Sequence, residues 1–473
     1  MDKQLMSKST DALFLQRISN EQREQYNLLE DVAWRASRYL SEADKRPVFP
    51  APEAVAGLAA FDEPLLDTPR DPRDVLALLD EAGSPATVSS TSGRYFGFVI
   101  GGALPATLAA NWLAGAWDQN AGLKVASPVT TKLEQVALSW LLDVLGLPPR
   151  SGGGFVTGAT MANFSGLAAA RYAVLKQVGW DVAAQGLFGA PPITVIVGDE
   201  VHVSLLKALN LLGLGRERVI RVPVDDQGRM RAYSLPRISG PTIVCIQAGN
   251  VNTGAFDPAA EIIHIAHQAG AWVHVDGAFG LWAAAAPERA HLVAGIREAD
   301  SWATDAHKWL NIPYDSGLVF CRRAEDLRAA LTHSPAAYLF EGDEREPMEY
   351  TPEMSRRARG VDVWAALRSL GRAGLAEMIE RCCRHARRFA EGLTAGGYEV
   401  LNDVQLNQVL VSFGDAEKTR RVIAAIQQDG TCWCGGTVWQ GHTAMRISVS
   451  SWMTTDEDVE KSLEAMLRIA AAQ

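Results

Sequence analysis

Between residues 86 and 330, short apolar, β-branched runs alternate with amphipathic or alanine-rich stretches. The runs lie at 154–157, 193–197, 242–246, 272–275 and 317–320, and helical patterns over 162–177, 203–212 and 259–269 follow the first three. A strand that is apolar on both faces must be covered on both, and interleaved helices supply the cover. The spacing therefore predicts a large α/β domain on a mainly parallel sheet.

The flanks read differently. Residues 1–85 are polar helical segments interrupted by prolines at 47, 50, 52, 64, 69 and 72, with little core of their own, and are expected to pack on another subunit or domain. The apolar run 103–117 holds Asn111 and is shorter than the roughly 18 residues a spanning helix needs, so it predicts a buried helix. The acidic stretch 341–353 reads as a flexible loop, followed by one long helix near 361–395. Strand-like runs at 409–413 and 445–449 alternate with helical 418–428 and 457–472, which predicts a small α+β domain. The boundaries drawn are 1–85, 86–330 and 331–473.

Composition narrows the function. A formal net charge of -10 gives no hint of the basic surface that nucleic acid or an anionic membrane would favour. The arginines at 356, 357 and 359 and those of 384–388 read as solvated helix faces or local anion contacts. The six cysteines form no CxxC pair, which suits reduced thiols in a cytoplasmic protein, and the N-terminus lacks a signal peptide's apolar core. The close pairs His264/His267 and Cys432/Cys434 lack supporting ligands and are read as structural, so no metal is expected.

Two segments carry the chemistry. Residues 272–278 (WVHVDGA) form an apolar strand ending in Asp276, which places a carboxylate at the carboxyl edge of the sheet, where open α/β sheets bind ligands. Residues 304–309 (TDAHKW) set Lys308 between His307 and Trp309, the apolar and cationic surroundings in which a lysine amine condenses with a carbonyl. A glycine-rich turn over 152–160 (GGGFVTGAT) opens a helix, and a helix N-terminus fed by such a turn receives phosphate.

With these residues in view, the chain from about 86 onward resembles the group II pyridoxal-phosphate (PLP) decarboxylases, which include aromatic-L-amino-acid, glutamate and tyrosine decarboxylases. Residues 300–309 (DSWATDAHKW) resemble the cofactor-lysine motif D-S-x-x-x-N-P-H-K-W, with Asp305 in place of Asn and Ala306 in place of Pro. The resemblance implies the PLP-dependent transferase fold type I, with a mainly parallel seven-stranded sheet and a small C-terminal domain. It implies a homodimer acting on a small amino acid, with Lys308 holding PLP as a Schiff base. Asp276 would keep the ring nitrogen protonated, Ala278 would lie against the ring, and His202 would stack on its other face. The turn resembles T-S-G-G-T-E-A-N, which makes Gly158, Ala159 and Thr160 the expected phosphate contacts, with Asp305 and His307 beside them. A carboxylate at 305 would repel the phosphate unless turned away or protonated.

For the substrate, the resemblance points to Phe98 in a side-chain pocket or as a core aromatic, to Gln247 where many members have Thr, and to Arg446 on the α-carboxylate or as a structural arginine. Tyr350, between Tyr338 and Ser355, stands in for the loop tyrosine that returns a proton to Cα. The expected reaction is decarboxylation of an L-amino acid, mildly favouring an aromatic one, to the amine and CO2. Two alternatives stay open: another PLP reaction such as transamination, aldehyde synthesis or C–C cleavage, and an NAD(P)-dependent oxidoreductase suggested by VTGAT at 156–160.

Overall fold

The protein is described from a computed structural model, which covers residues 20–332 and 345–473. Its larger sheet has seven strands: β1 Gly152–Val156, β2 Thr194–Gly198, β3 Ile220–Val222, β4 Thr242–Gln247, β5 Trp272–Asp276, β6 Ser301–Asp305 and β7 Gly317–Cys321. Their order is β1-β7-β6-β5-β4-β2-β3. Only β7 runs against its neighbours, pairing antiparallel with both β1 and β6. Every residue of β1, β4, β5, β6 and β7 is buried, as a sheet covered on both faces requires.

The helices of eight or more residues are α1 Asn20–Glu42, α2 Pro105–Trp117, α3 Pro128–Val144, α4 Ala159–Lys176, α5 Val203–Leu211, α6 Ala259–Gln268, α7 Ala324–Leu331, α8 Arg359–Ala395, α9 Ala416–Asp429 and α10 Asp456–Ala472. Successive strand side chains point to opposite faces, and the core divides accordingly. Val244, Ile246, Val273, Val275 and Trp302 join one apolar layer with α3 and α6. Ile243, Cys245, Trp272 and Ala303 join the other with α4 and α5. Helix α4 is alanine-rich because it lies pressed on the sheet; Ala162, Ala169 and Ala170 are fully buried.

A second sheet, order β10-β11-β9-β8, is made of β8 Glu399–Val400, β9 Gln408–Ser412, β10 Gly435–Trp439 and β11 His442–Ser448, all antiparallel. Helix α10 starts on a capping box in which Thr455 and Asp458 exchange side-chain and backbone hydrogen bonds. No described helix is long and apolar enough to cross a membrane.

Four expectations need correction. Helix α2 is largely exposed, with Trp112 and Leu113 at 42% and 51% exposure, because nothing among the described residues covers its apolar outer face. The long helix is two, since Gly371 (φ 60°, ψ −176°) breaks α8. The described part of the acidic loop is a 3-10 turn, Pro347–Tyr350, whose Pro347 and Met348 are buried; residues 341–344 lie outside the described chain. Finally, Arg356 is no solvated helix face. Its side chain is fully buried and grips Glu134 of α3 with both nitrogens, at 2.8 and 3.2 Å.

Candidate active site

Strands β1, β2, β4, β5 and β6 all end at the same edge of the sheet, and the loops leaving them carry the candidate residues. Asp276 ends β5 and pairs in register with Gln247 of β4 and Ala303 of β6. Its Oδ1 accepts a hydrogen bond from the Ala278 amide (3.3 Å) and its Oδ2 from Asn163 Nδ2 of α4 (3.2 Å). One strand over, Asp305 ends β6, its own amide donating to the Ala278 carbonyl at 2.8 Å. Ala278 thus bridges the two carboxylate-bearing strand ends.

Lys308 Nζ lies 3.1 Å from Asp305 Oδ2. Asp305 Oδ1 accepts the Ala159 amide at the start of α4 (2.5 Å) and faces His307 Nε2 at 3.4 Å. A side-chain carboxylate thus accepts the Ala159 amide, one of the expected phosphate contacts. Thr160 and Met161 follow in the first turn, whose N–H groups have no partner within a helix. Gly158 is needed where it stands: a Cβ there would press on His307 Cε1 at 3.1 Å, and one on Gly317 would meet Gly158 Cα at 2.4 Å.

His202 caps α5, its Nδ1 accepting the Ser204 amide at 3.2 Å. That bond assigns the ring proton to Nε2. Burial lowers its pKa, opposed by the Asp276 carboxylate, while Lys308 and Arg446 lower it further and Asp305 raises it. Four charged candidates from three separate segments therefore act on one imidazole. His307 is also held towards its neutral form, chiefly by burial, and stacks on Tyr314 at 4.3 Å.

Arg446, on β11, reaches only Asn252 Oδ1 at 3.5 Å and has no carboxylate within 4.0 Å among the described residues. Burial lowers its pKa. A desolvated guanidinium without a counter-ion is an anion site in waiting. Gln247 is less available than its position suggested, since its Nε2 donates to the Glu200 carbonyl (2.8 Å) and steadies the loop that carries His202.

Phe98 is 64% exposed, with a left-handed backbone (φ 53°), and stacks on Trp433, which in turn stacks on Tyr95. It is a rim aromatic rather than a core one. Tyr350 is misplaced as a site residue within this chain. Its backbone packs on Gly154, its ring lies near Gly152, and Arg345 covers the ring at 3.8 Å. Gly152 pairs with Cys321, four residues along the ladder from the Val156–Gly317 pair that neighbours Asp305. Tyr338 lies outside the described residues.

Sequence reasoning missed Gly101, Trp433, Tyr314 and Asn163. A Cβ on Gly101 would stand 1.7 Å from the Lys308 carbonyl oxygen, so the segment carrying Phe98 is pressed against the lysine loop. The aromatic spacing of 95–98 offered a signal for this rim, whereas Trp433 and Asn163 reach the site only through tertiary packing. His264 and His267 bind Gln268 and Asp300, and no metal-binding cluster occurs among the described residues.

The residues fit a phosphorylated pyridine aldehyde. A glycine-lined helix N-terminus, a lysine amine, a strand-end carboxylate, a neutral imidazole and an unpaired arginine converge on one edge of the sheet. A nucleotide site would need the glycine spacing G-x-G-x-x-G, which 152–160 lacks.

Comparison with known proteins agrees. The family model described as the pyridoxal-dependent decarboxylase conserved domain matches residues 78–414. The chain is 28% identical over 422 residues to tryptophan decarboxylase 1 of Oryza sativa subsp. japonica, covering 80% of each chain. It is 28% identical over 353 residues to acidic amino acid decarboxylase GADL1 of Bos taurus, covering 68% of this chain and 67% of that protein. Among solved structures, Oryza sativa TDC with PLP and tryptamine superposes with a TM-score of 0.88 at 22% identity, covering 96% of this chain and 99% of the other. With a lysine, an aspartate and a glycine-rich helix start gathered at one strand edge, and a family match over most of its length, the chain belongs to the pyridoxal-dependent decarboxylases and is a PLP-dependent amino-acid carboxy-lyase.

Proposed function

We propose that this carboxy-lyase acts on an aromatic L-amino acid and releases the corresponding amine, with Lys308, Asp276, His202 and Arg446 as its working residues. The observation that carries this reading is the strand-edge cluster in which Ala278 bonds to both Asp276 and Asp305 and Lys308 Nζ lies 3.1 Å from Asp305 Oδ2. When bound, PLP supplies an aldehyde for the amino group and a protonated ring that accepts the electrons of the breaking Cα–carboxylate bond.

The chain's own groups do the rest. Lys308 is the amine that would hold the cofactor. Asp276 accepts the hydrogen bond of the ring nitrogen. The neutral imidazole of His202 packs on the ring without adding a positive charge beside it. Arg446 takes the α-carboxylate in a forked hydrogen bond, which fixes the orientation of the bond to be broken. Thr160 and the first-turn amides of α4 receive the phosphate. The stack of Phe98, Trp433 and Tyr95 supports an aromatic side chain, and its link to the lysine loop through Gly101 sets it close to the reacting end.

A homodimer is part of this proposal. Trp34, Trp112, Leu113 and Phe98 are exposed apolar groups that a second copy would cover. The free, buried cysteines support a reducing, cytoplasmic compartment.

The test is to incubate the PLP-loaded enzyme with each standard amino acid and measure CO2, amine and aldehyde. Amine and CO2 in equal amounts from tryptophan, tyrosine or phenylalanine are expected. Turnover of glutamate or aspartate alone would refute the aromatic assignment, and aldehyde in place of amine would refute simple decarboxylation.

A further inference from the structure

Behind Asp276 runs a chain of hydrogen bonds whose direction is fixed at one end. The Trp272 indole can only donate, and its Nε1 does so to Ser301 Oγ at 2.9 Å. The Ser301 hydroxyl lies 2.8 Å from His274 Nδ1, and His274 Nε2 lies 2.9 Å from Asn163 Oδ1. Asn163 Nδ2 then donates to Asp276 Oδ2 at 3.2 Å. An imidazole with Nε2 facing an amide oxygen carries its proton there, leaving Nδ1 to accept from Ser301. Each link therefore points the same way: indole to hydroxyl, hydroxyl to imidazole, imidazole to amide, amide to carboxylate.

All of these groups are buried, Asn163, His274 and Ser301 completely. Burial drives the His274 pKa down to about 3, so the ring is a neutral link with no charge of its own. The fold makes room for the relay deliberately: a Cβ on Gly166 of α4 would sit 2.7 Å from His274 Cε1. An apolar core at this place would have needed none of these polar groups, and a buried network is maintained only when each member is satisfied.

We propose that Trp272, Ser301, His274 and Asn163 form a one-way relay that orients Asp276 towards the cofactor's ring nitrogen, and that Asn163 and His274 are positioning residues for cofactor recognition. With the rear face of the carboxylate fixed by Asn163 and the Ala278 amide, its remaining lone pairs face the site. This rests on the reading of Asp276 as the ring-nitrogen partner.

The test compares the affinity of the apoenzyme for PLP and for its 1-deaza analogue, in which C–H replaces the ring nitrogen. Wild type, Asn163→Leu, His274→Phe, His274→Gln and Ser301→Ala are measured by equilibrium dialysis. The wild type is expected to prefer PLP. Asn163→Leu and His274→Phe should cut that preference about tenfold by weakening PLP alone, the size expected for losing a hydrogen bond to a charged group. His274→Gln, which restores a donor to Asn163, should recover most of it, and Ser301→Ala, a small change that spares the packing, should lose a part. If every variant weakens both ligands by the same factor, or none changes the preference, the relay is merely structural and the proposal falls. A wild type that prefers neither ligand would instead sink the assignment of Asp276 itself.

Discussion

Lys308 Nζ stands 3.1 Å from Asp305 Oδ2, while the other oxygen of that carboxylate accepts the first amide of α4. Asp305 thus joins Lys308, the proposed cofactor lysine, to the helix start proposed to receive the phosphate, and brings a negative charge to the same place. Replacing it with Asn keeps an acceptor for the Ala159 amide and adds a donor for phosphate. Asp305→Asn is therefore expected to bind PLP about tenfold more tightly, the effect of removing one like charge in a partly screened site. Fluorescence titration of the apoenzyme checks this, and weaker binding would show that the pair with Lys308 matters more than the repulsion.

Arg446 has no carboxylate partner among the described residues. Arg446→Gln should raise KM for the amino acid at least about tenfold, since one charge-assisted bidentate contact is lost. PLP affinity should be unchanged. Steady-state kinetics and a cofactor titration on the same preparation separate the two.

The pair between Arg356 and Glu134 fixes α3 to the chain entering α8, and Arg356 also donates to the Phe155 and Ala121 carbonyls. Glu134→Gln leaves a buried guanidinium charge without its counter-ion, and about 3–5 kcal/mol of stability should be lost in urea unfolding.

His267 Nε2 lies 2.9 Å from Asp300 Oδ2, a contact that raises the histidine's pKa above the ordinary value of 6.5. A raised folded-state value means that the charged pair contributes fully below pH 6.5 and is lost as pH climbs through the folded value. His267 is 38% exposed, so screening limits the effect to a few tenths of a kcal/mol. His267→Gln should therefore lower Tm at pH 5.5 and be nearly silent at pH 8.5.

Much of this was legible from the chain. The parallel strands β1, β2, β4 and β5 stood out because their residues are apolar on both faces. Strand β6 did not, since its sequence SWATD is as polar as a loop and becomes a strand only between β5 and β7. Edge strand β3 exposes Ile220 and Arg221 and leaves little apolar signal. At the candidate site, Lys308, Asp276 and His202 could be proposed from the sequence because each follows an apolar run or lies in a motif. Arg356 was left open between a solvated face and a local anion contact because a run of arginines looks the same in either case, and its pair with Glu134 is the second. Tyr350 was misjudged because a tyrosine in an acidic stretch says nothing about which end of β1 it will pack against.

The most direct measurement is to reduce the PLP-loaded protein with borohydride, digest it and locate the phosphopyridoxyl group by mass spectrometry. The modification is predicted on Lys308, and Lys308→Ala should lose both it and the violet absorption band. A phosphopyridoxyl group on another lysine, with Lys308→Ala still coloured, would contradict the account.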